Sequence, residues 1–167
     1  MTELRWVGSS DPDDFGGVEK TAAIGDYILA GALEPLVRDT AVRLVQGAHR
    51  DDHVGRVERL HRFVQRSIDY HREPIEMFHR ATVVLTQGGD CDDHVILLGS
   101  LAWALKYPFL VEPIGHPKGP AHYTIRLGTP PSELPNGDAS TRWRSYETII
   151  DALPGEHVND AIRRLGL

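Results

Sequence analysis

The only cysteine of the chain, Cys91, has neighbours that suit a nucleophile. It follows Gly88-Gly89-Asp90, and Asp92 and Asp93 come directly after it. A Gly-Gly turn can bring the chain sharply to a helix start, because glycine accepts backbone conformations that other residues avoid. The apolar run that follows predicts a helix with Cys91 at or just before its first turn, where N–H groups and the helix dipole favour a thiolate. A lone cysteine is more often a small buried hydrophobe, but the polar flanks argue against an apolar site.

A cysteine nucleophile also needs a base that takes its proton and a third group that orients the base. Of the nine histidines, five lie on the early predicted helices or loops, where an imidazole is usually solvated: His49, His53, His61, His71 and His79. His94 follows Cys91 by one helical turn and is expected to point into a loop. His122 opens a predicted strand after a Gly-Pro-Ala turn, which suits presentation at the end of a sheet. We therefore predict His122 as the base, with His116 as the alternative.

The third group is expected from the next predicted strand, which offers Glu147 and Asp151. The acidic residues beside Cys91 raise the alternative of a metal site with His94. Their spacing is not that of a calcium loop, and a second cysteine for zinc is missing. We expect Asp92 and Asp93 instead to serve the helix N-terminus and to pair with an arginine. The sequence thus predicts no metal and no cofactor.

The segments around these residues predict an α+β fold. Residues 1–16 are expected to form an irregular arm with a short strand at 4–7, and helical patterns follow from about Val18, broken near Gly31 and ended by Gly47. An amphipathic helix capped by Asp51 or Asp52 runs to Ile68, and a short β-branched run at 82–85 leads into the Gly-Gly turn. The run from 95 to 107 is apolar almost all round, which is typical of a buried central helix. Three strands (109–114, 122–127 and about 143–150), a long loop at 128–141 and a short helix at 158–165 complete the prediction.

Composition narrows the classes of protein that the chain can belong to. The length of 167 residues favours a single domain over 1–167, and the net charge of −6 argues against a nucleic-acid partner. No apolar run approaches the ~20 residues of a membrane span, and the N-terminus lacks the apolar core of a signal peptide. One cysteine allows no internal disulfide, which fits a reducing compartment. We expect a cytoplasmic protein without a membrane partner, while the oligomeric state stays open.

The order of these features resembles the transglutaminase-like cysteine enzymes, most closely their small bacterial and phage members. Those enzymes carry Gly-x-Cys-x-Asp at a helix start, His-Val-x-Val on one strand and Trp-x-x-x-Asp on the next. Here Cys91, His122 and the strand led by Trp143 match in turn, and the resemblance runs from about Val42 to Pro154. It implies a papain/transglutaminase-like fold, in which N-terminal helices and a buried helix starting at the cysteine pack on a small antiparallel sheet.

Two features depart from the family pattern. The connection after the His122 strand is long, where such enzymes often have a tight turn. The fourth residue after Trp143 is Glu147 rather than aspartate, whereas Asp151 has the usual type but comes four positions late. On spacing we prefer Glu147 as the third member, with Asp151 as the alternative.

The resemblance implies acyl transfer through a thioester on Cys91, acting on peptide bonds or glutamine amides of a protein or peptide substrate. Hydrolysis, as in a cysteine peptidase or amidase, is favoured because the small bacterial relatives are often hydrolytic. The alternatives are a protein-crosslinking transglutaminase and a catalytically silent binding or assembly protein. The N–H of Cys91 is the expected oxyanion donor, ahead of the side chain of Gln87.

Overall fold

The computed structural model describes residues 18–73, 77–116, 119–149, 153, 156 and 158–166. Within these residues the chain forms an α+β fold of six helices and a three-stranded antiparallel sheet, as the sequence predicts. The elements are, in chain order, α1 (Val18–Gly31), α2 (Pro35–Val45), α3 (His53–Ser67), α4 (Ala81–Gln87), α5 (Cys91–Ala104), β1 (Phe109–His116), β2 (Gly119–Thr129), β3 (Arg142–Tyr146) and α6 (Val158–Leu165).

The N-terminal helices follow the sequence prediction closely. Pro35 is the first residue of α2, where its missing N–H costs no hydrogen bond. Asp52 caps α3, because its side chain accepts a hydrogen bond from the Gly55 N–H at 2.9 Å. The apolar face of α3 lies in the core, and the helix ends at Ser67, where the chain becomes extended.

The β-branched run at 82–85 belongs to helix α4. Its residues have the composition of a strand, but Ala81 and Val84 are buried one turn apart and pack into the core. α4 is in contact with α1, α2 and α5. Tertiary packing of this one helical face therefore outweighs the local preference.

Helix α5 is the centre of the fold. It begins at Cys91, as predicted, and every residue from Asp92 to Ala102 is buried. α1, α2, α3 and α4 surround it, together with β1 and β2. Such a helix has no polar face because none of its sides meets solvent. It ends at Ala104, three residues before the predicted end.

The sheet has the order β1-β2-β3, and β2 pairs with both neighbours. Phe109 lies opposite Leu127, and Ile125 lies opposite Tyr146. His122 is not the opening residue of its strand, since β2 begins at Gly119. The predicted extension of the third strand to 150 is wrong, because β3 ends at Tyr146 and the chain bends at Thr148.

Some expectations fall outside the described residues: the arm at 1–16 with its strand, and the position of Asp151. The terminal helix α6 has the predicted bounds. Among the described helices, none is both long and apolar enough to cross a bilayer.

Candidate active site

Cys91 is the first residue of α5, and the turn before it is tightly held. The Asp90 carboxylate caps the helix by accepting hydrogen bonds from the N–H groups of Asp92 at 3.1 Å and Asp93 at 3.4 Å. Gly88 has φ +80°, and a Cβ there would lie 2.2 Å from the Asp69 carbonyl oxygen. Only glycine fits this approach of the chain to the segment that follows α3.

The Cys91 sulfur has one acceptor and one donor beside it. The thiol donates to Asp92 Oδ1 at 3.2 Å, and the backbone N–H of Tyr123 donates to the sulfur. The second contact brings the beginning of α5 against β2, next to His122. In this arrangement the thiol proton is directed at Asp92 and not at His122.

His122 and Glu147 form a close pair. His122 Nε2 lies 2.6 Å from Glu147 Oε2, and the side chains are 29% and 1% exposed. The other carboxylate oxygen accepts the Ile149 N–H at 2.8 Å. Because an ionised carboxylate only accepts, Nε2 of the neutral ring carries the proton and Nδ1 has the lone pair that a base needs.

Burial of the His122 ring opposes its protonation, but the hydrogen bond and negative charge of Glu147 outweigh burial. Asp92 adds to the effect, so the pKa of His122 is raised above its usual value. Protonation of His122 is therefore favoured when the thiol gives up its proton. The structure thus brings Glu147, preferred on spacing, to His122, while Asp151 lies outside the described residues.

The expected thiolate at the helix start is wrong for this structure. Burial raises the pKa of the Cys91 thiol, and the charge of Asp92 and its hydrogen bond raise it further. The Tyr123 N–H lowers this pKa, but by less. The physical reason is burial of the thiol together with the charge of Asp92; Asp90, which accepts the N–H groups of Asp92 and Asp93 at the helix start, adds a smaller contribution in the same direction.

The two aspartates after Cys91 have different partners, and within the described part of the chain neither forms the arginine pair that we expected. Burial raises the pKa of each to about 6, with the charge of Asp90 contributing. Asp92 feels the positive charge of Lys20 on α1. Asp93 Oδ1 accepts the His79 N–H at 2.8 Å, and its Oδ2 lies 2.9 Å from His79 Nδ1. Asp93 therefore holds the chain before α4 against the first turn of α5.

His61 is a residue whose role the sequence interpretation missed. It was expected to be solvated, yet it is fully buried and donates through Nε2 to the backbone carbonyl of Glu147. Its ring also lies edge-on against Tyr146, with centroids 5.2 Å apart. Burial lowers the pKa of His61 despite that hydrogen bond. A signal was present: His61 follows Val57 by four residues on the buried face of α3, so its position is a core position.

Other polar groups surround the sulfur. Tyr70 is 49% exposed, and partial burial together with the negative charge of Asp90 raises the pKa of its phenol. His94 is buried, with Nε2 lying 3.4 Å from the carbonyl of Asp69, in the segment that follows α3. Gln87 ends α4 and is exposed.

Two groups of described side chains have atoms close enough to ligate one metal ion: Glu73, His79 and Asp93, and Asp90, Cys91 and Asp92. In the first group both Asp93 oxygens are already occupied by His79. In the second group, Asp90 caps α5 and Asp92 accepts the hydrogen bond of the Cys91 thiol. Internal hydrogen bonds thus account for both groups.

Comparison with protein-family models, curated proteins and solved structures found no match to this chain. The chemistry of the site therefore has to be argued from its own geometry. A thiol at a helix start, a β2 histidine beside it and a buried glutamate bonded to that histidine are the three components that nucleophilic acyl transfer requires.

Proposed function

We propose that the protein is a Cys-His-acid acyl-transfer enzyme that cleaves amide bonds of protein or peptide substrates through a thioester on Cys91. The observation that supports this most is the His122–Glu147 pair at 2.6 Å, held beside Cys91 by the Tyr123 hydrogen bond. A buried glutamate that orients one ring nitrogen leaves the other as a base. The transglutaminase-like resemblance, including its papain-like fold, and a cytoplasmic location are part of the same proposal.

In the proposed reaction, His122 Nδ1 takes the thiol proton as the sulfur attacks the carbonyl carbon of the substrate. The negative charge that develops on the carbonyl oxygen is stabilised by the N–H of Cys91, which has no intrahelical acceptor at the first helical position. Collapse of the intermediate breaks the C–N bond, and the leaving amine takes the proton from His122. Water then attacks the carbonyl carbon of the thioester and gives a proton to His122. The C–S bond breaks, the acid leaves, and His122 returns the proton to the Cys91 sulfur.

The raised pKa of Cys91 shapes this mechanism. A thiol that holds its proton in the resting protein requires transfer to His122 during the attack, in place of a preformed thiolate. Ionised Asp92 disfavours the thiolate until the proton has moved to His122. In the proposed mechanism, His122 therefore contributes more to activation of the thiol than the helix dipole does.

The proposal is tested by alkylation of Cys91 with iodoacetamide across pH, with glutathione as the reference thiol. We expect a reactive phase that follows the titration of His122 and lies below the ordinary thiol pKa of about 8.5. The His122→Gln and Glu147→Gln variants should lose this phase, whereas His49→Gln, at an exposed position, should keep it. If Cys91 of the unaltered protein reacts no faster than glutathione and shows no such phase, the proposal fails.

A second measurement separates hydrolysis from transamidation, because both pass through the same thioester. The protein is incubated with a glutamine-containing protein and a labelled primary amine. We expect new N-termini or ammonia without amine incorporation, which indicates a hydrolase. Incorporation of the label would identify a transglutaminase instead.

A catalytically silent binding protein is the second candidate, and one observation favours it. The raised pKa of the Cys91 thiol is the opposite of what activates a resting nucleophile. Such a protein would show the slow, glutathione-like alkylation described above.

A further inference from the structure

A cavity of about 430 Å³ lies where α1 turns into α2. That volume is within the range of roughly 300–1,000 Å³ found for small-ligand sites. None of its lining residues belongs to the candidate active site. They are Asp26, Tyr27 and Ala30 of α1, Leu33 and Glu34 of the following turn, and Arg80 before α4.

Glu34 is the chemically unusual residue of this cavity. One carboxylate oxygen, Oε1, accepts a hydrogen bond from Arg80 Nε at 3.1 Å. The other, Oε2, is buried and has no hydrogen-bond partner among the described residues, and the whole side chain is only 11% exposed. A buried carboxylate oxygen without a donor costs free energy that a bound donor would recover.

The place of Glu34 in the fold does not explain its side chain. It occupies the N-cap position of α2, but the carboxylate makes no capping hydrogen bond. Glutamate is not among the residues that favour this position, because serine, threonine, aspartate and asparagine reach the helix N–H groups better. The carboxylate extends to Arg80, on the wall of the cavity.

The rest of the wall is mainly apolar. Tyr27 packs edge-on against Phe78, with ring centroids 5.9 Å apart, and Ala30 lies one turn further along α1. Leu33 at the mouth is 74% exposed, and Leu29 and Leu36 are also exposed in the adjoining helices. A ligand with an apolar body would cover surface that now faces water.

From these contacts we infer that the cavity binds a cation on an apolar chain, either an alkylammonium or an alkylguanidinium group such as the side chain of lysine or arginine. Two carboxylates, Asp26 and Glu34, and one guanidinium, that of Arg80, line the cavity, so the site keeps an excess of negative charge. The cation donates to Glu34, whose terminal torsion is soft enough to turn Oε2 toward it, and the chain lies on Ala30 and Leu33. An anion of the same shape is repelled.

The test is a titration of the full-length protein, followed by two-dimensional amide NMR, with hexylammonium, hexanol and hexanoate as probes. We expect saturable shifts at residues 26–34 and at Arg80 with hexylammonium at millimolar concentration, and affinities at least about tenfold weaker for the other two probes. The end-blocked dipeptide acetyl-Leu-Lys-amide distinguishes the sources. Equal or tighter binding of the dipeptide indicates a protein side chain, and weaker binding indicates a free amine.

Two variants make the test specific. Glu34→Gln keeps the shape of the side chain and should weaken hexylammonium binding about tenfold, the value of a charge-assisted hydrogen bond. Asp26→Asn, on the exposed face of α1, removes charge without a buried contact and serves if the first variant does not fold. Equal binding of hexanol and hexylammonium, or unchanged affinity in the variants, would overturn the proposal. So would the absence of saturable shifts.

Discussion

Asp92 is the acceptor that keeps the proton on Cys91. Its Oδ1 receives the thiol hydrogen bond at 3.2 Å, and its charge is the largest contribution after burial to the raised pKa of the thiol. Its own pKa of about 6 means that Asp92 is ionised at neutral pH. The reactivity of the sulfur therefore depends on a neighbour that does not itself take part in the proposed acyl transfer.

Asp92→Asn should lower the pKa of Cys91, because it removes the negative charge and keeps an oxygen of similar position. The measurement is the midpoint of iodoacetamide alkylation against pH in the His122→Gln background, which lacks the phase that follows His122. There the midpoint reports the Cys91 thiol, and it should move to lower pH. Asp51→Asn, a change at an exposed carboxylate 69% accessible to solvent, should leave the midpoint where it is. A midpoint that stays or rises in Asp92→Asn contradicts the assignment.

His61 stabilises the position of Glu147 by donating a hydrogen bond from Nε2 to the backbone carbonyl of Glu147. His61→Phe keeps an aromatic ring but leaves that carbonyl unpaired, which should cost roughly 1–3 kcal/mol of unfolding free energy at about pH 8. Burial lowers the folded-state pKa of His61, so the unfolded chain binds its proton first as the pH falls below 6.5. The unfolding free energy of the wild type then falls, whereas that of the variant does not fall for this reason. The difference in unfolding free energy between the two proteins should therefore narrow as the pH is lowered.

Urea unfolding of both proteins at about pH 8 and about pH 5.5 measures this difference. His49→Phe, on a side chain 75% exposed, is the matched control and should show neither effect. If the difference in unfolding free energy between the wild type and His61→Phe is constant or widens toward acid pH, His61 is not buried as a neutral donor.

At the scale of elements, the candidate site depends on the junction between α4 and α5. Gly89 exchanges backbone hydrogen bonds with the segment after α3, donating to Asp69 at 3.1 Å and accepting from His71 at 3.0 Å. Gly88, with φ +80° and ψ −166°, lies in a region of backbone conformation that is almost confined to glycine. This junction sets where the first turn of α5, and with it Cys91, begins.

Gly88→Ala should destabilise the protein by at least about 2 kcal/mol, because it adds backbone strain and a clash with the Asp69 carbonyl. Gly47→Ala is the matched control: Gly47 has φ +81°, but a Cβ there meets nothing within 4 Å. Gly47→Ala should lower the unfolding free energy by about 1 kcal/mol, because it adds backbone strain without a clash. Equal midpoints of urea unfolding for the two variants would mean that the approach to Asp69 contributes nothing.

At the scale of the whole molecule, the site is assembled from three parts of the chain around one core. Cys91 lies on α5, His122 on β2 and Glu147 after β3, and the buried residues of helices and sheet form one cluster. The site and the core should therefore unfold together in a single transition.

Leu97→Ala tests this coupling, since Leu97 is fully buried in the middle of α5. It should cost about 2–5 kcal/mol, and far-UV circular dichroism and the His122-dependent alkylation of Cys91 should both shift to the same lower urea concentration. Val42→Ala, at a side chain 57% exposed on α2, should stay within about 0.5 kcal/mol of the wild type. Loss of the alkylation phase well before the loss of secondary structure would show that the site unfolds on its own.

Local sequence signals were sufficient for most of the architecture. The helix start at Cys91, the Asp52 cap, Pro35 in the first turn of α2 and the bounds of α6 all follow from patterns a few residues long, because caps and turns are local interactions. The resemblance to an enzyme family, through the Trp-x-x-x-acid pattern that begins at Trp143, preferred Glu147, the carboxylate that lies against His122 in the structure.

Only the tertiary structure decided the rest. α4 is helical despite its β-branched residues, because its Ala81 and Val84 face is buried against other helices. His61 and Asp93 have partners far away in the sequence, Glu147 and His79, that no local pattern connects to them. The helix position of Cys91 predicted a lowered thiol pKa, but the pKa is raised, because proton affinity depends on burial and on every charge nearby in space.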